Sequence, residues 1–378
     1  MEISRFIAGK LTNQFGYSSF TPEFVNHEWL VSDAKLNRLL NDATRKLGEL
    51  NAFSIMLPDV DFFIRMHITK EATRSSRIEG TQTSLEEAIQ NVEYLNPEKR
   101  DDWHEVQNYI EAMNYSIEQL KSLPISNRLL KQTHKILLQG VRGKYKSPGE
   151  FRTSQNWIGG ATLNDATFIP PHHQEVPELM SDFEKLLNNS ALQTPPLIRI
   201  GIAHYQFESI HPFLDGNGRL GRLLITLYLV SNHILSKPVL YLSDFFEHNR
   251  SYYYDNLTNV RTQNNMVQWL TFFLTGVLET SEKSIQTFQK IIKLRIKVEE
   301  NTIIKLGKKI PLAMQLIHYL YTKPIVDVQE VATVLKVNIS TAYRLIQDFE
   351  NLEILKERTG FKRNRIFIFE QYLNLFEN

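Results

Sequence analysis

The sequence predicts an all-α protein with one β-hairpin flap and a C-terminal winged helix-turn-helix. Three observations predict it. Apolar residues recur at helical spacing through most of residues 33–280. One stretch, 140–177, turns instead to Gly, Pro, Thr and Asn, with short β-type pieces such as Phe151-Arg-Thr and Thr167-Phe-Ile. Residues 310–378 read as three short helices followed by a strand pair with Gly360 in its turn.

The elements follow in order. Residues 1–30 lack a clear period and read as an irregular arm. Leu36, Leu39, Leu40, Ala43, Leu47 and Leu50 mark a first helix over Asp33–Leu50. Pro58 breaks it, and a second helix is expected over Phe62–Ile78. Ser84, followed by Glu86 and Glu87, offers the N-cap of a third, which Asn96-Pro97 closes. Two amphipathic helices span 102–122 and 126–139. After the hairpin stretch, Pro195 and Pro196 open a helix through Ile210. Further helices are expected over Gly218–Ile234, Asn249–Thr262 and Met266–Thr280. Residues 281–308 carry Lys and Glu on most faces and read as a solvated connecting helix. Leu312–Tyr321, Val328–Lys336 and a helix capped by Ser340 complete the tail. The expected division is 1–122, 123–280, 281–309 and 310–378.

Composition narrows the function. With 42% hydrophobic residues the chain can bury a core, so it is not a disordered chain. A net charge of +1 gives no global electrostatic case for nucleic acid or membrane binding. The absence of cysteine removes disulfides, thiolate metal sites and cysteine nucleophiles. Residues 1–10 have an acidic second position and no apolar core, unlike a secretory signal. The expectation is a cytoplasmic protein with no membrane association.

Chemistry concentrates in His211-Pro-Phe-Leu-Asp-Gly-Asn-Gly-Arg-Leu-Gly-Arg222. Gly216 and Gly218 permit positive φ and close approach of backbone to a ligand. Their N–H groups, with those opening the next helix, can point at an anion. Arg219 and Arg222 supply forked donors suited to phosphate oxygens. Asp215 is the oxygen ligand that Mg²⁺ takes beside a polyphosphate. His211 is the side chain here able to accept a proton near neutral pH.

This string resembles HPFxDGNGRxxR, the signature of the Fic (Fic/Doc) family, at every fixed position. Ser75-Ser-Arg-Ile-Glu-Gly80 resembles that family's inhibitory motif, (S/T)xxxE(G/N). Leu39–Gly48, Leu57-Pro-Asp, Pro148-Gly-Glu-Phe-Arg152, Gln155–Gly159, Tyr241-Leu-Ser and Tyr253-Tyr254 add to the likeness, which covers residues 35–280. It implies a helical core with one flap hairpin and transfer of AMP from ATP to a Ser, Thr or Tyr hydroxyl of a target protein. It also implies the site. His211 would be general base and Asp215 would hold Mg²⁺. Gly216, Asn217 and Gly218 would form the anion nest, with Leu220 and Gly221 in the same ATP-binding stretch. Arg219 would bind the β-phosphate and Arg222 the γ-phosphate. Tyr253, Tyr254 and Arg261 are candidates for the nucleotide pocket, and Phe213 for a core anchor. Ser75, Glu79 and Gly80 would be inhibitory, with Glu79 taking Arg222 from within the same chain. The flap, over Phe151–Ile169, would offer an open strand edge to the target.

Other readings stand beside this one. Removal of AMP from a protein, with Glu79 positioning water, is the alternative enzyme. His204, Glu208 and His211 share a helix face at i, i+4, i+7, but no fourth zinc ligand lies near. His172-His173 reads as solvated. The tail suggests a DNA-binding regulator, yet residues 310–378 carry eight basic and eight acidic side chains, and only the wing is basic. A homodimer is left open.

Overall fold

The computed structural model describes residues 1–378 except 57, 58, 141, 142, 144, 361–364 and 378. Leu57, Pro58 and the wing residues Lys362 and Arg363 therefore lie outside the described residues.

The protein is predominantly helical. Helices α1 (Ala34–Met56), α2 (Val60–Ile78), α3 (Leu85–Ile89), α4 (Arg100–Gln119) and α5 (Asn127–Leu137) precede the flap region. Ser84 caps α3 in a reciprocal capping box with Glu87, as its spacing predicts. Then come α6 (Val176–Asn188), α7 (Pro196–Ile210), α8 (Asn217–Ser231), α9 (Ser243–His248), α10 (Arg250–Gln263) and α11 (Met266–Ile296). Helix α7 is buried on every side from Leu197 to Ile210. A helix apolar all round must be a core helix, and α6, α8 and α11 pack around it. Gly201 permits this: a Cβ there would lie 2.8 Å from Leu270 and 3.0 Å from Phe273.

Several expectations need correction. Residues 1–30 are not an irregular arm. Strands β1 (Gly9–Asn13) and β2 (Ser18–Pro22) form an antiparallel hairpin, and Phe6, Val25 and Trp29 are buried beneath it. The expected flap hairpin is reduced to one antiparallel bridge, Ile158 to Phe168, within an irregular loop. The hairpin β1–β2 joins that loop instead, with the Phe20 N–H donating to the Ile169 carbonyl at 2.9 Å. Helices α6 and α9 lie where no helix was expected. Residues 281–308 are not mainly solvated: α11 continues through Ile296 and buries Ile285, Phe288 and Ile291, then passes through a π turn, Lys297–Thr302, and a 3-10 segment, Ile303–Lys309.

The tail forms α12 (Ile310–Thr322), β3 (Ile325–Asp327), α13 (Val328–Leu335), α14 (Ile339–Asn351), β4 (Lys356–Glu357), β5 (Ile366–Ile368) and α15 (Glu370–Glu377). The antiparallel order β3-β5-β4 is that of a winged helix. Asn338, not Ser340, caps α14. The tail packs directly on α2. Phe63 meets Tyr321 with ring centroids 5.6 Å apart, and His67 meets Phe376 at 5.0 Å.

Candidate active site

Helix α7 ends at His211, whose backbone is left-handed (φ 49°, ψ 60°). That conformation is unfavourable for a residue with a Cβ and persists where surroundings impose it. The imposing contacts come from a distance. The Asn156 amide donates to the carbonyls of Phe213 at 2.9 Å and His211 at 3.3 Å. Arg152 donates through Nε to the His211 carbonyl at 3.0 Å. Asn217 spans the loop, accepting from Phe213 N–H and donating to Phe213 C=O, both at 2.9 Å. Its side chain thus fastens the loop. Phe213 is fully buried and stacks on His134 at 3.8 Å. The Gly149 N–H donates to His134 Nδ1 at 2.8 Å, so Nε2 carries the proton and donates to the Asp215 carbonyl at 2.9 Å.

Gly216, at φ 74°, turns the chain into α8. The first N–H groups of that helix have no intrahelical partner and form an anion-favouring end. A carboxylate is seated there. Glu79 Oε1 accepts from Arg222 Nη2 at 2.7 Å and presses against Gly218, in the space a Cβ would fill. The same Cβ would lie 3.0 Å from Arg222 Nη1. Arg222 also donates to Ser75 Oγ and to the Ser75 carbonyl, each at 2.9 Å. The i, i+4 placement of Ser75 and Glu79 on one face of α2 thus grips a single guanidinium. Gly80, at φ 106°, ends the helix just after Glu79. Burial opposes the charge on Glu79, but Arg222 outweighs it and holds the carboxyl below its usual range. The Arg222 side chain is 1% exposed, whereas that of Glu79 keeps 36% of its surface open.

Arg219, also buried, pairs with Glu105 at 3.0 Å and stands 3.6 Å from Asp215. The Asp215 side chain is 41% exposed beside the nest. Burial pushes the His211 imidazole down to about 4, and Arg152 adds to the depression while Glu79 opposes it. The ring is therefore a neutral acceptor at pH 7.

Tyr253 is core: its hydroxyl meets His204 Nε2 at 2.8 Å. The other His204 nitrogen meets the Gly221 carbonyl at 3.0 Å. With both nitrogens engaged, His204 has no lone pair for zinc. Tyr254 is 39% exposed, and Glu79 and Arg222 are among the charges acting on it. Arg261 lies over the Phe168 ring at 3.8 Å. Glu208 is buried beside Gly221, and burial raises its carboxyl to about 7. Among the described residues, Asp244, Glu247 and His248 have metal-ligand spacing, but Arg74 already bridges the two carboxylates at 3.1 and 2.8 Å.

Sequence reasoning assigned no role to Arg152, Asn156, His134 or Glu105. Their signal was weak: each acts from 55 to 114 residues away in sequence.

The histidine that ends α7, the open N-terminus of α8 and the gripped Arg222 thus stand together within one helical core. Residues 37–118 match the Fic/DOC family N-terminal model and residues 124–229 the Fic/DOC family model. The chain belongs to the Fic/DOC family. Over 83 residues it is 41% identical to the protein adenylyltransferase Fic of Drosophila erecta and to that of Aedes aegypti. The match covers 22% of this chain and spans only 15% of the length of those relatives. Among solved structures, a Fic family protein from Desulfovibrio desulfuricans G20 aligns with a TM-score of 0.56 at 18% identity, covering 91% of this chain and 98% of that one. Fic-1 from C. elegans aligns at 0.51 with 24% identity, covering 69% and 74%. These likenesses speak for the fold. No helix among the described residues is long and apolar enough to cross a membrane.

Proposed function

We propose that the protein is a protein adenylyltransferase, restrained within its own chain by Glu79. The observation that carries this reading is the Glu79 carboxylate seated on Arg222 and Gly218 at the head of α8, close enough to His211 to act on its charge. An anionic side chain occupies an anion site, so the natural ligand there is a phosphate. The relatives' name supplies the nucleotide, ATP.

The chemistry follows from the residues. A target hydroxyl oxygen attacks the α-phosphorus of ATP, and an O–P bond forms. The bond from that phosphorus to the β-phosphate bridge oxygen breaks, and pyrophosphate leaves. The hydroxyl proton passes to the neutral His211. Backbone N–H groups of Gly216–Gly218 hold phosphate oxygens, and Arg219 and Arg222 stabilise charge on the departing pyrophosphate. Asp215, exposed beside the nest, fits one carboxylate ligand of Mg²⁺, whose other ligands would be phosphate oxygens and water. Such an ion would neutralise charge on the polyphosphate. Ser75 and Glu79 keep Arg222 from the γ-phosphate until they release it.

A second reading is removal of AMP from a modified protein, in which water replaces the hydroxyl as nucleophile. It draws on the open third of the Glu79 side chain, which leaves the carboxylate able to hold a water near the nest. DNA binding by the tail has less support. Tyr343, Arg344 and Gln347 on α14 are exposed, but Lys309 pairs with Asp348 at 2.5 Å and Arg365 with Glu350 at 3.5 Å. Those pairs spend the charge that phosphate contacts would need.

The test is incubation of the purified chain and its Glu79→Gly variant with labelled ATP and Mg²⁺. Label is expected on the chain itself and on selected lysate proteins, more strongly with the variant. No label on any protein from either form would overturn the reading.

A further inference from the structure

Arg152 is a buried cation, 2% exposed, at the start of the flap loop. Its partners are carbonyls. Nε donates to His211 at 3.0 Å, Nη1 to Ser154 at 3.3 Å, and Nη2 to Pro171 at 2.5 Å and Ile210 at 3.4 Å. Its own N–H donates to the Pro212 carbonyl at 2.9 Å. The side chain therefore caps the last carbonyls of α7, where a cation complements the helix dipole. It also ties both ends of the flap loop, at Ser154 and Pro171, to the residue where that helix ends. That residue is His211, in a left-handed conformation unfavourable for a side chain with a Cβ.

We propose that Arg152 is a positioning residue for His211, clamping its carbonyl from the flap and fixing its left-handed turn. The proposal rests on the base role given to His211 above. Three charged groups act on that ring: Arg152 from the flap, Glu79 from the end of α2 and Arg261 from α10; the Glu208 backbone, in α7 itself, adds a hydrogen bond that favours the protonated ring. The two arginines disfavour the imidazolium and Glu79 favours it. Burial is the largest contribution, and Arg152 is the next. The consequence for catalysis is a base that stays deprotonated across the physiological range and whose ring is aimed by the same loop that would receive the target. Movement of the flap is thereby felt at the base.

The experiment separates charge from shape. In full-length protein, the His211 ring is titrated by NMR without nucleotide, assigned by its loss in His211→Ala. The parent ring should titrate near 4, the value burial and Arg152 impose. Arg152→Gln keeps hydrogen-bond donors and loses the charge, so the midpoint should rise by roughly one unit or more, the size of a single neighbouring charge. Arg152→Lys keeps the charge and loses the fork, so the midpoint should stay within about half a unit of the parent. Direct observation of the ring separates its titration from that of Glu208, whose carboxyl burial raises to about 7. In the Glu79→Gly background, both Arg152 variants should lower kcat for AMP transfer by roughly tenfold or more while KM for ATP changes less than about twofold. Thermal unfolding above the assay temperature shows that each variant is folded. An Arg152→Gln midpoint equal to the parent's overturns the proposal, as does a rise in KM matching the fall in kcat. Should the Glu79→Gly parent transfer no AMP, the functional reading fails, while the ring titration still decides the role of Arg152.

Discussion

The Glu79 carboxylate rests on the backbone of Gly218, where any side chain would have to stand. Residues 139 positions apart in number thus share one small volume, because α2 ends at Glu79 just as α8 begins at Asn217. Only glycine allows that approach, and the carboxylate stands at the head of the helix beside Arg222.

Replacing Glu79 by Gly should therefore free Arg222 and raise self-modification and target modification strongly. A contact of a few kcal/mol corresponds to ~100-fold or more in active population, at tenfold per 1.4 kcal/mol. Overall ATP affinity should change far less. Adding Arg222→Ala should cancel the gain, since the emptied site would then lack its guanidinium. Unchanged or reduced labelling in the single variant would refute the inhibitory role.

Gly218→Ala, placed in the Glu79→Gly background, asks whether phosphate uses the same volume. The methyl would stand 3.0 Å from Arg222 Nη1 and fill the anion position. ATP affinity, read by calorimetry, should fall by roughly tenfold, about 1.4 kcal/mol. Undiminished binding would show that the phosphates lie elsewhere.

The flap gives a more restricted prediction than its sequence suggested. Ile158 and Phe168 exchange backbone hydrogen bonds, and β2 takes the Ile169 carbonyl. If a target strand adds to this loop, it pairs on the side of Trp157, outside that bridge. Trp157→Pro should then weaken target labelling several-fold more than ATP binding. Equal loss of both would speak against strand addition.

Phe63, 1% exposed between Tyr321 and Tyr372, is a buried apolar tie between α2 and the tail. Phe63→Ala should cost about 3–5 kcal/mol, as large-to-small core changes do. Calorimetry should show a clearly lowered Tm. An unchanged Tm would mean that the tail contributes little to holding α2.

The signature was legible because its chemistry is contiguous: twelve residues hold the turn glycines, the arginines and the base. Ser75 and Glu79 were legible through the likeness to the inhibitory motif, to which helical periodicity adds only that they share one face. Arg152 and His134 were not, since their partners are backbone groups brought near only by the fold. The stretch 281–308 misled because Lys and Glu dominate its composition, while Ile285, Phe288 and Ile291 bury one narrow stripe. Residues 1–30 showed no period because their hairpin is held by loops and by the buried Phe6, Val25 and Trp29 rather than by alternation.

Helix α2 meets the tail near its start and the head of α8 at its end. Phe62, Phe63 and His67 lie among the aromatic rings of the tail, and Glu79 lies on Arg222. From His67 to Glu79 the axis runs about 18 Å, at 1.5 Å per residue. A rigid rod anchored at both ends cannot register a shift at one without bearing on the other. Whatever free energy couples the two ends must also be equal in both directions. Occupancy of Arg222 by a nucleotide would then be felt as slackened docking of the tail, measurable as a change in amide exchange along α12 and α15.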